Sequence, residues 1–170
     1  ISGLLDMAQA ESKKLNKLLH PIRVDELALE ASMQMEKKYP DSVINVNYAL
    51  TNGQDADFML PATRSLLLNA IINLIENAIK FSADNPSVDI TLTATAATIE
   101  IRLQDYGIGI SKDEIDKIFD PFYRSEAVIA KSGYGIGLSL VKRILSLLNG
   151  DIQVASEVGK GSVFTVSFRK

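Results

Sequence analysis

The stretch from Pro61 to about Ser82 constrains the fold of this chain more than any other. Apolar residues recur there every three or four positions and fill its centre: Leu66, Leu67, Ala70, Ile71, Leu74, Ile75 and Ala78. A helix that is apolar around most of its circumference has to be covered by other secondary structure. We therefore predict that this stretch is the longest helix of the domain, that Pro61 begins it, and that it lies in the core.

The other segments have either helical or strand-like patterns. We predict helices at 25–38, with Asp25 as N-cap and Leu27, Ala28, Ala31 and Met35 facing inward, at 112–119, with Ser111 as N-cap, and at 136–148, ended by Asn149-Gly150. We predict strands at 43–50, 57–60, 87–95, 98–104, 151–156 and 162–169, a turn at Asn52-Gly53 and a loop over 120–134. Because helices and strands do not alternate strictly, the pattern favours an α+β sandwich over a doubly wound parallel sheet.

The first 19 residues have the spacing of an amphipathic helix, with leucines on one side and lysines between them. Two interpretations are open: the helix packs on the rest of this chain, or it is half of an intermolecular helical bundle, which we favour. His20-Pro21 ends this helix, because the residue before a proline is disfavoured in the α region. We therefore expect a helix and linker over residues 1–20 and a separate domain over residues 21–170.

Composition excludes several classes of protein. The 170 residues include no cysteine and one histidine, which excludes a disulfide framework and a zinc site and makes a reducing compartment natural. The net charge of −3 gives no electrostatic reason to expect a nucleic-acid partner. No apolar run approaches the ~18 residues of a membrane span, so we expect no membrane contact by this chain. Because it begins with Ile1 and not methionine, we expect a piece of a longer protein.

A polar stripe interrupts the long apolar helix. Asn73 and Asn77 are four residues apart and share one face, and Lys80 lies close to that face. An asparagine oxygen is a hard neutral ligand that suits Mg²⁺ when water and phosphate supply the other oxygens. On spacing alone, the alternative that these amides satisfy buried backbone groups or face solvent stays open.

Asp105 follows a strand and precedes Gly107 and Gly109. A carboxylate at the end of a strand can accept a hydrogen bond from an exocyclic amine such as that of adenine, and the glycines allow close backbone approach. An ordinary Asp-x-Gly turn is the alternative.

Three further glycines, Gly133, Gly135 and Gly137, precede an amphipathic helix, where backbone N–H groups and the helix dipole favour phosphate. The loop before them carries cations that can reach a triphosphate, Arg124 and Lys131, and aromatic residues, Phe119, Phe122 and Tyr123. The alternative is that these aromatics simply dock the loop on the core.

Four segments, taken in order, resemble the N, G1, F and G2 boxes of sensor histidine kinases: Asn73-Leu-Ile-Glu-Asn-Ala-Ile-Lys-Phe81, Asp105-Tyr-Gly-Ile-Gly109, Phe119-Asp-Pro-Phe122 and Gly133-Tyr-Gly-Ile-Gly-Leu138. The segment 159–166 resembles the last hairpin of that family. The resemblance is close over about residues 61–170 and looser over 22–60. It implies the Bergerat ATP-binding fold of the GHKL superfamily, a two-layer α/β sandwich in which a mixed sheet of about five strands carries three helices on one face.

The resemblance also implies roles in binding ATP and Mg²⁺. Asp105 would accept a hydrogen bond from the adenine amine, and Asn77, assisted by Asn73, would coordinate Mg²⁺. The cations expected at the phosphates are Lys80, Arg124 and Lys131. A lid over about 119–135 would cover the nucleotide. The other residues expected in the ATP site are Phe81, where the family often has tyrosine, and Gly107, Gly109, Ile110, Phe119, Phe122, Gly133, Gly135, Ile136, Gly137 and Leu138.

By the same resemblance, residues 1–19 are the second helix of a dimerisation and phosphotransfer bundle, whose first helix carries the phosphoacceptor histidine. This implies a homodimeric parent that transfers the γ-phosphoryl group of ATP to that histidine, for relay to an aspartate of a response-regulator receiver domain. His20 lacks the acidic neighbour of the phosphoacceptor motif, so we expect this chain to bind ATP without phosphorylating itself. The resemblance further implies a cytoplasmic location for this chain and allows a parent anchored in the inner membrane.

Two alternatives belong to other functional classes. The related ATP hydrolases and switches place a glutamate, the base for water, where this chain has Asn73, and Glu76 points about 100° away from Asn77 around the helix. Efficient hydrolysis is therefore disfavoured. A non-catalytic binding module would have no nucleotide affinity, and the intact boxes argue against it.

Overall fold

The computed structural model describes residues 19–49, 57–82, 86–125 and 133–170. These residues form seven strands and three helices, in the order β1 (His20–Arg23), α1 (Val24–Lys38), β2 (Val43–Ala49), β3 (Met59–Ala62), α2 (Arg64–Phe81), β4 (Ser87–Ala94), β5 (Thr98–Asp105), α3 (Gly137–Leu147), β6 (Gly150–Glu157) and β7 (Gly161–Arg169). The helix predicted at the N-terminus, apart from its last residue, and the predicted Asn52-Gly53 turn lie outside the described residues.

Five strands form one mixed sheet in the order β2-β4-β5-β7-β6. β2 runs parallel to β4, and the other neighbouring pairs are antiparallel. Every second side chain along β4 and β5 is buried, as the period of two in a strand requires. The predicted hairpin of residues 87–95 and 98–104 and the two predicted final strands are confirmed.

The helices form the second layer. α2 packs between α1 and α3 and against β4 and β5, whereas α1 contacts β2 and α3 contacts β6. Leu67 and Ile75 of α2 are fully buried, and the predicted inner face of α1 is buried as well. The predicted α+β, two-layer sandwich is therefore confirmed. Among the helices in the described ranges, none combines the length and apolar character that a bilayer span requires.

A small two-stranded sheet, formed by β1 and β3, contradicts one predicted boundary. Pro61 does not begin the long helix: it lies in β3, opposite Pro21 of β1, and α2 begins only at Arg64 after the N-cap residue Thr63. A two-stranded ribbon tolerates prolines, because their missing N–H groups interrupt no interior ladder. His20 begins β1 rather than lying in a linker.

The predicted N-cap of α1 is also wrong. Arg23 occupies the N-cap position and makes no side-chain capping bond. Asp25 lies in the first turn, where its carboxylate accepts hydrogen bonds from Nε and Nη2 of Arg23 at 3.1 and 2.6 Å. An acidic residue in the first turn still complements the helix dipole.

Residues 112–119 form consecutive turns rather than the predicted short helix. The N–H of Glu114 donates to the carbonyl of Ser111 at 3.0 Å, and most of the bonds that follow also span three residues. The hydroxyl of Ser111 donates to the carboxylate of Glu114 at 2.8 Å instead of accepting an N–H bond as an N-cap. The side chains therefore compete with the backbone for local hydrogen bonds, which disfavours a regular helix.

The last helix ends as predicted. α3 stops at Leu147, and Asn149 adopts a left-handed conformation with φ of 55°. Asparagine tolerates this conformation better than most residues, so the chain can reverse directly into β6.

Replacing Ile75 by alanine is expected to lower the free energy of unfolding by about 2–5 kcal/mol, because the side chain is fully buried between the two layers. The matched control is Met33→Ala on the outer face of α1, where the side chain is 69% exposed and the expected change is within about 0.5 kcal/mol. Urea unfolding of the two variants measures the difference. Equal costs would contradict the central position of α2.

Candidate functional site

A cavity of about 620 Å³ opens between α2, the segment after β5 and the N-terminus of α3. Most of the residues expected in the site line it: Asn73, Asn77, Lys80, Phe81, Asp105, Gly109, Ile110, Arg124, Gly133, Gly135, Ile136, Gly137 and Leu138. The structure therefore brings together segments that are up to 65 residues apart in the sequence, from Asn73 to Leu138.

Asp105 forms one end of the cavity. It is the last residue of β5 and is 4% exposed. Its Oδ1 accepts hydrogen bonds from the N–H groups of Gly107, at 2.9 Å, and Ser162, at 3.2 Å. Burial raises the pKa of Asp105, and the two backbone N–H bonds, together with a hydrogen bond from the Ser162 side chain, oppose this effect. Gly107 and Ser162 thus hold the carboxylate at the wall of the cavity.

Ser162 was not predicted as a site residue, although it holds Asp105 and lines the cavity. It is brought there by Gly161, which has a φ of 97° and lies so close to β5 that a Cβ would stand 2.1 Å from the carbonyl oxygen of Asp105. Only glycine meets both requirements. The Gly159-Lys-Gly161 segment was a visible signal in the sequence, but its pairing with β5 was not.

The two asparagines of the polar stripe face the N-terminus of α3. Nδ2 of Asn73 donates to the carbonyl of Asn69 at 2.8 Å. A Cβ at Gly137 would stand 3.2 Å from Oδ1 of Asn73 and 3.5 Å from Nδ2 of Asn77. The absence of a side chain at this position therefore lets the start of α3 approach both amides closely, which places backbone N–H groups beside them.

Glu76 lines the cavity too, which its angular position on the helix did not predict. Its Oε1 accepts hydrogen bonds from Lys38, at 2.8 Å, and from the hydroxyl of Tyr39, at 2.7 Å, and lies 3.2 Å from Nζ of Lys80. Burial alone would raise the pKa of Glu76, but these three partners outweigh it and lower the pKa to about 2. We name Lys38, Tyr39, Glu76 and Lys80 the Glu76 cluster.

Several hydrogen bonds hold the segment on the open side of the cavity. The N–H of Phe122 donates to the carbonyl of Gly135 at 2.8 Å. The hydroxyl of Tyr123 donates to Glu114 at 3.0 Å. The pKa of Glu114 is lowered, most by a hydrogen bond from Ser125 and next by one from Ser111. The Glu114 carboxylate therefore stays ionised at neutral pH.

Some predicted site residues do not line the cavity. Phe122 is 73% exposed, and Phe119 packs partly buried against the core, with Nζ of Lys142 5.3 Å from its ring centre. Gly107 contributes only its N–H, which donates to Oδ1 of Asp105. Lys131 lies outside the described residues.

An apolar wall completes the cavity and was not predicted. Its side chains come from the turn after β5, the segment before Phe119, the β6–β7 turn and β7: Ile108, Ile118, Val158 and Phe164. No single sequence segment contains them, so only the folded sheet reveals that they share a surface.

The cavity offers two chemically different ends. One end has a buried carboxylate beside apolar side chains, which suits a planar base that donates from an amine. The other end has two amides, a lysine ammonium and a helix N-terminus, which suits an anionic tail such as phosphate. A cavity of this kind on such a sandwich defines an ATP-binding domain.

Residues 62–170 match the family described as histidine kinase-, DNA gyrase B-, and HSP90-like ATPase, and the chain belongs to this family. The resemblance of the four boxes to the ATP-binding catalytic domain of sensor histidine kinases is thereby confirmed, together with the fold it implied.

Curated relatives bear histidine-kinase names. The chain is 30% identical over 169 residues to the sensor-like histidine kinase SenX3 of Mycolicibacterium smegmatis, covering 98% of this chain and 43% of that protein. It is 32% identical over 163 residues to the adaptive-response sensory kinase SasA of Prochlorococcus marinus, covering 94% of this chain and 43% of that protein. The chain thus spans less than half the length of these relatives.

Solved structures share the fold. The mycobacterial sensor histidine kinase MprB superposes with a TM-score of 0.76 at 21% identity, over 89% of this chain and 97% of that chain. The catalytic domain of histidine kinase ThkA superposes with a TM-score of 0.74 at 23% identity, over the same shares of the two chains.

Replacing Asp105 by asparagine is expected to weaken ATP binding by about tenfold or more. If Asp105 accepts a hydrogen bond from the adenine amine, asparagine keeps an oxygen for the N–H groups of Gly107 and Ser162 but turns an NH₂ donor toward that amine, and an unmatched buried donor costs about 1–3 kcal/mol. Calorimetric titration with ATP measures the loss.

Stability provides the control for this variant. Burial raises the pKa of Asp105 in the folded state above its ordinary value. The folded protein therefore loses stability as the pH rises from the ordinary pKa through the raised pKa, because the buried carboxyl then ionises. Asp105→Asn is therefore expected to be no less stable than the wild type at pH 7. Unchanged ATP affinity in a folded variant would contradict the assigned role.

A pair of glycine variants tests whether the close approach of Gly161 to β5 positions Ser162 in the site. Gly161→Ala is expected to lower both stability and ATP affinity, because its Cβ meets the backbone of Asp105. Gly159→Ala is the control: its φ is 80°, but nothing lies within 4 Å of a Cβ, so we expect a cost of about 1 kcal/mol and normal ATP binding. Urea unfolding and calorimetry compare the two. Equal ATP affinities would show that the close approach does not shape the site.

Proposed function

We propose that this domain binds ATP together with Mg²⁺ and transfers the γ-phosphoryl group to a histidine outside this chain, for relay to an aspartate of a response-regulator receiver domain. In that transfer the bond from the γ-phosphorus to the bridging oxygen breaks, a bond to an imidazole nitrogen forms, and ADP leaves. The observation that carries the proposal is the single cavity that joins Asp105 at one end to Asn73, Asn77 and Lys80 at the other.

At the adenine end, Asp105 accepts the hydrogen bond of the exocyclic amine. Its geometry supports this role, because both N–H donors meet Oδ1 and the carboxylate borders the cavity. Ile110 and the apolar wall cover the faces of the base. Phe81 also lines the cavity, and its carbonyl accepts the N–H of Ile108 in the segment after β5 at 3.1 Å. Its ring contributes packing without the hydroxyl that a tyrosine would supply.

At the phosphate end, Lys80 and Arg124 supply positive charge, and the N-terminus of α3 supplies N–H groups. Gly137 lets these groups approach the asparagines. Gly133 and Gly135 border the opening of the cavity and allow the chain there to follow the phosphates. Positioning and charge neutralisation of this kind are most of what phosphoryl transfer requires.

The donor set fits Mg²⁺ better than a metal held by the protein alone. No group of three or more His, Cys, Asp or Glu side chains in the described ranges can hold a metal ion. Asn77, with Asn73 beside it, offers neutral amide oxygens to an ion that keeps waters and phosphate oxygens as its other ligands. Mg²⁺ would neutralise phosphate charge when bound with the nucleotide.

The structure supports transfer to a protein side chain over hydrolysis. Asn73 occupies the position of the hydrolytic base and cannot accept a proton from water. Glu76 borders the cavity, but a carboxylate with a pKa of about 2 is a poor general base at neutral pH. Water is therefore left without an activating group among the described residues of α2 at the cavity.

The partners follow from the same proposal. We infer that residues 1–19 are a helix and linker of a dimerisation and phosphotransfer bundle and that the catalytic domain begins with β1, at His20. The phosphoacceptor helix, from the same or the dimer-mate kinase, and a receiver domain are the protein partners. A parent protein that is a homodimer, with this domain in the cytoplasm and a membrane anchor elsewhere, is consistent with this arrangement.

The test is calorimetric titration of the domain with ATP, with and without Mg²⁺. We expect saturable binding that the metal strengthens. In Asn77→Ala the metal should no longer strengthen binding, while affinity for ATP alone stays within about threefold, because only the metal ligand is lost. A full metal dependence in this variant would place the metal elsewhere.

Transfer itself is tested by adding a phosphoacceptor helix and measuring acid-labile phosphohistidine. ATP binding without any phosphohistidine, while ATP is converted to ADP in the absence of an acceptor, would favour an ATPase instead. No ATP binding under either condition would refute the proposed function.

A further inference from the structure

The Glu76 cluster connects the end of α1 to the phosphate end of the cavity. Lys38 is the last residue of α1, Tyr39 follows it, and Lys80 lies one helical turn beyond Glu76 on α2. All three donors meet the same atom, Oε1 of Glu76. The two ammonium groups are therefore near neighbours that share one carboxylate oxygen.

The charges in the cluster oppose one another. Glu76 is negative and lies beside the place where phosphate groups would enter, so it competes with them for Lys80. Lys38 and Tyr39 occupy the same oxygen and weaken its hold on Lys80. The side chain of Glu76 is 20% exposed and that of Lys80 is 28% exposed, so solvent screens this competition only in part.

We propose that Glu76 is a positioning residue that controls how readily Lys80 turns toward the phosphates of a bound nucleotide, and that Lys38 and Tyr39 act on this balance from α1 through Glu76. The inference rests on the proposed function, because it requires nucleotide phosphates beside Lys80. The end of α1 would thereby influence nucleotide affinity, although Lys38 itself does not line the cavity.

The first experiment compares nucleotide affinities by calorimetry in low salt without metal. Glu76→Gln keeps the size of the side chain and removes the competing charge, so ATP should bind about three- to fivefold tighter. Lys38→Met should have the opposite effect, about two- to threefold weaker ATP binding, because Glu76 then holds Lys80 more strongly. Adenosine affinity should not change in either variant, since adenosine has no phosphate.

Controls separate this mechanism from a general effect of charge. Lys37→Met removes a neighbouring exposed lysine that makes no contact with Glu76 and should leave ATP affinity unchanged. Lys38→Arg should retain wild-type affinity. Tyr39→Phe removes the hydroxyl without changing any charge and should weaken ATP binding in the same direction as Lys38→Met.

A double-mutant cycle gives the decisive comparison. If Lys38 acts through Glu76, Lys38→Met should have no effect on ATP affinity in the Glu76→Gln background. Full additivity of the two changes would show a direct long-range attraction and overturn the proposal. Unchanged or weaker ATP binding by Glu76→Gln would also overturn it. Failure of the wild type to bind ATP would instead refute the proposed function, so the two failures are distinguishable.

Discussion

The burial of α2 is the constraint on which the rest of the structure depends. Two helices cover its sides and the sheet covers its base, so only one edge stays polar. Because Asn73, Asn77 and Lys80 all lie on this packed helix, their spacing is set by the helix itself, at ~5.4 Å per turn. At the proposed phosphate end, these three side chains are therefore positioned by a core helix, whereas Arg124, Gly133 and Gly135 come from the adjoining segment outside the helices and strands.

The proposed adenine end is built by the sheet. Asp105 ends β5, and the N–H that fixes it comes from Ser162, 57 residues later at the start of β7. The position of the carboxylate therefore depends on the register between β5 and β7. If β7 slipped by one residue, the side chains of β7 would turn to the opposite face of the sheet. The distance between the two ends of the cavity is thus set by the packing of the helical layer on the sheet.

Periodicity was sufficient to predict the sandwich, the long helix and the antiparallel hairpin, because these depend on which residues are apolar along a single segment. The boundaries were harder. The apolar spacing predicts a helix that begins at Pro61, but the pairing of Pro61 with Pro21 decides its conformation. The assignments of Asp25 and Ser111 as N-caps failed because each side chain bonds to a charged neighbour instead. The motif residues at the cavity were predictable, whereas Ser162 and the partners of Glu76 depend on contacts between distant segments.

The strand order has a consequence for how the domain is made. β7 is the last strand in the sequence, yet it lies inside the sheet between β5 and β6. During synthesis, the edges of β5 and β6 that pair with β7 stay unpaired until residues 161–169 have left the ribosome. The carboxylate of Asp105 also gains its second backbone donor only then. A nascent chain that is halted before Gly161 would therefore present two unpaired strand edges and lack the Ser162 donor to Asp105, so the proposed adenine pocket is completed only with β7.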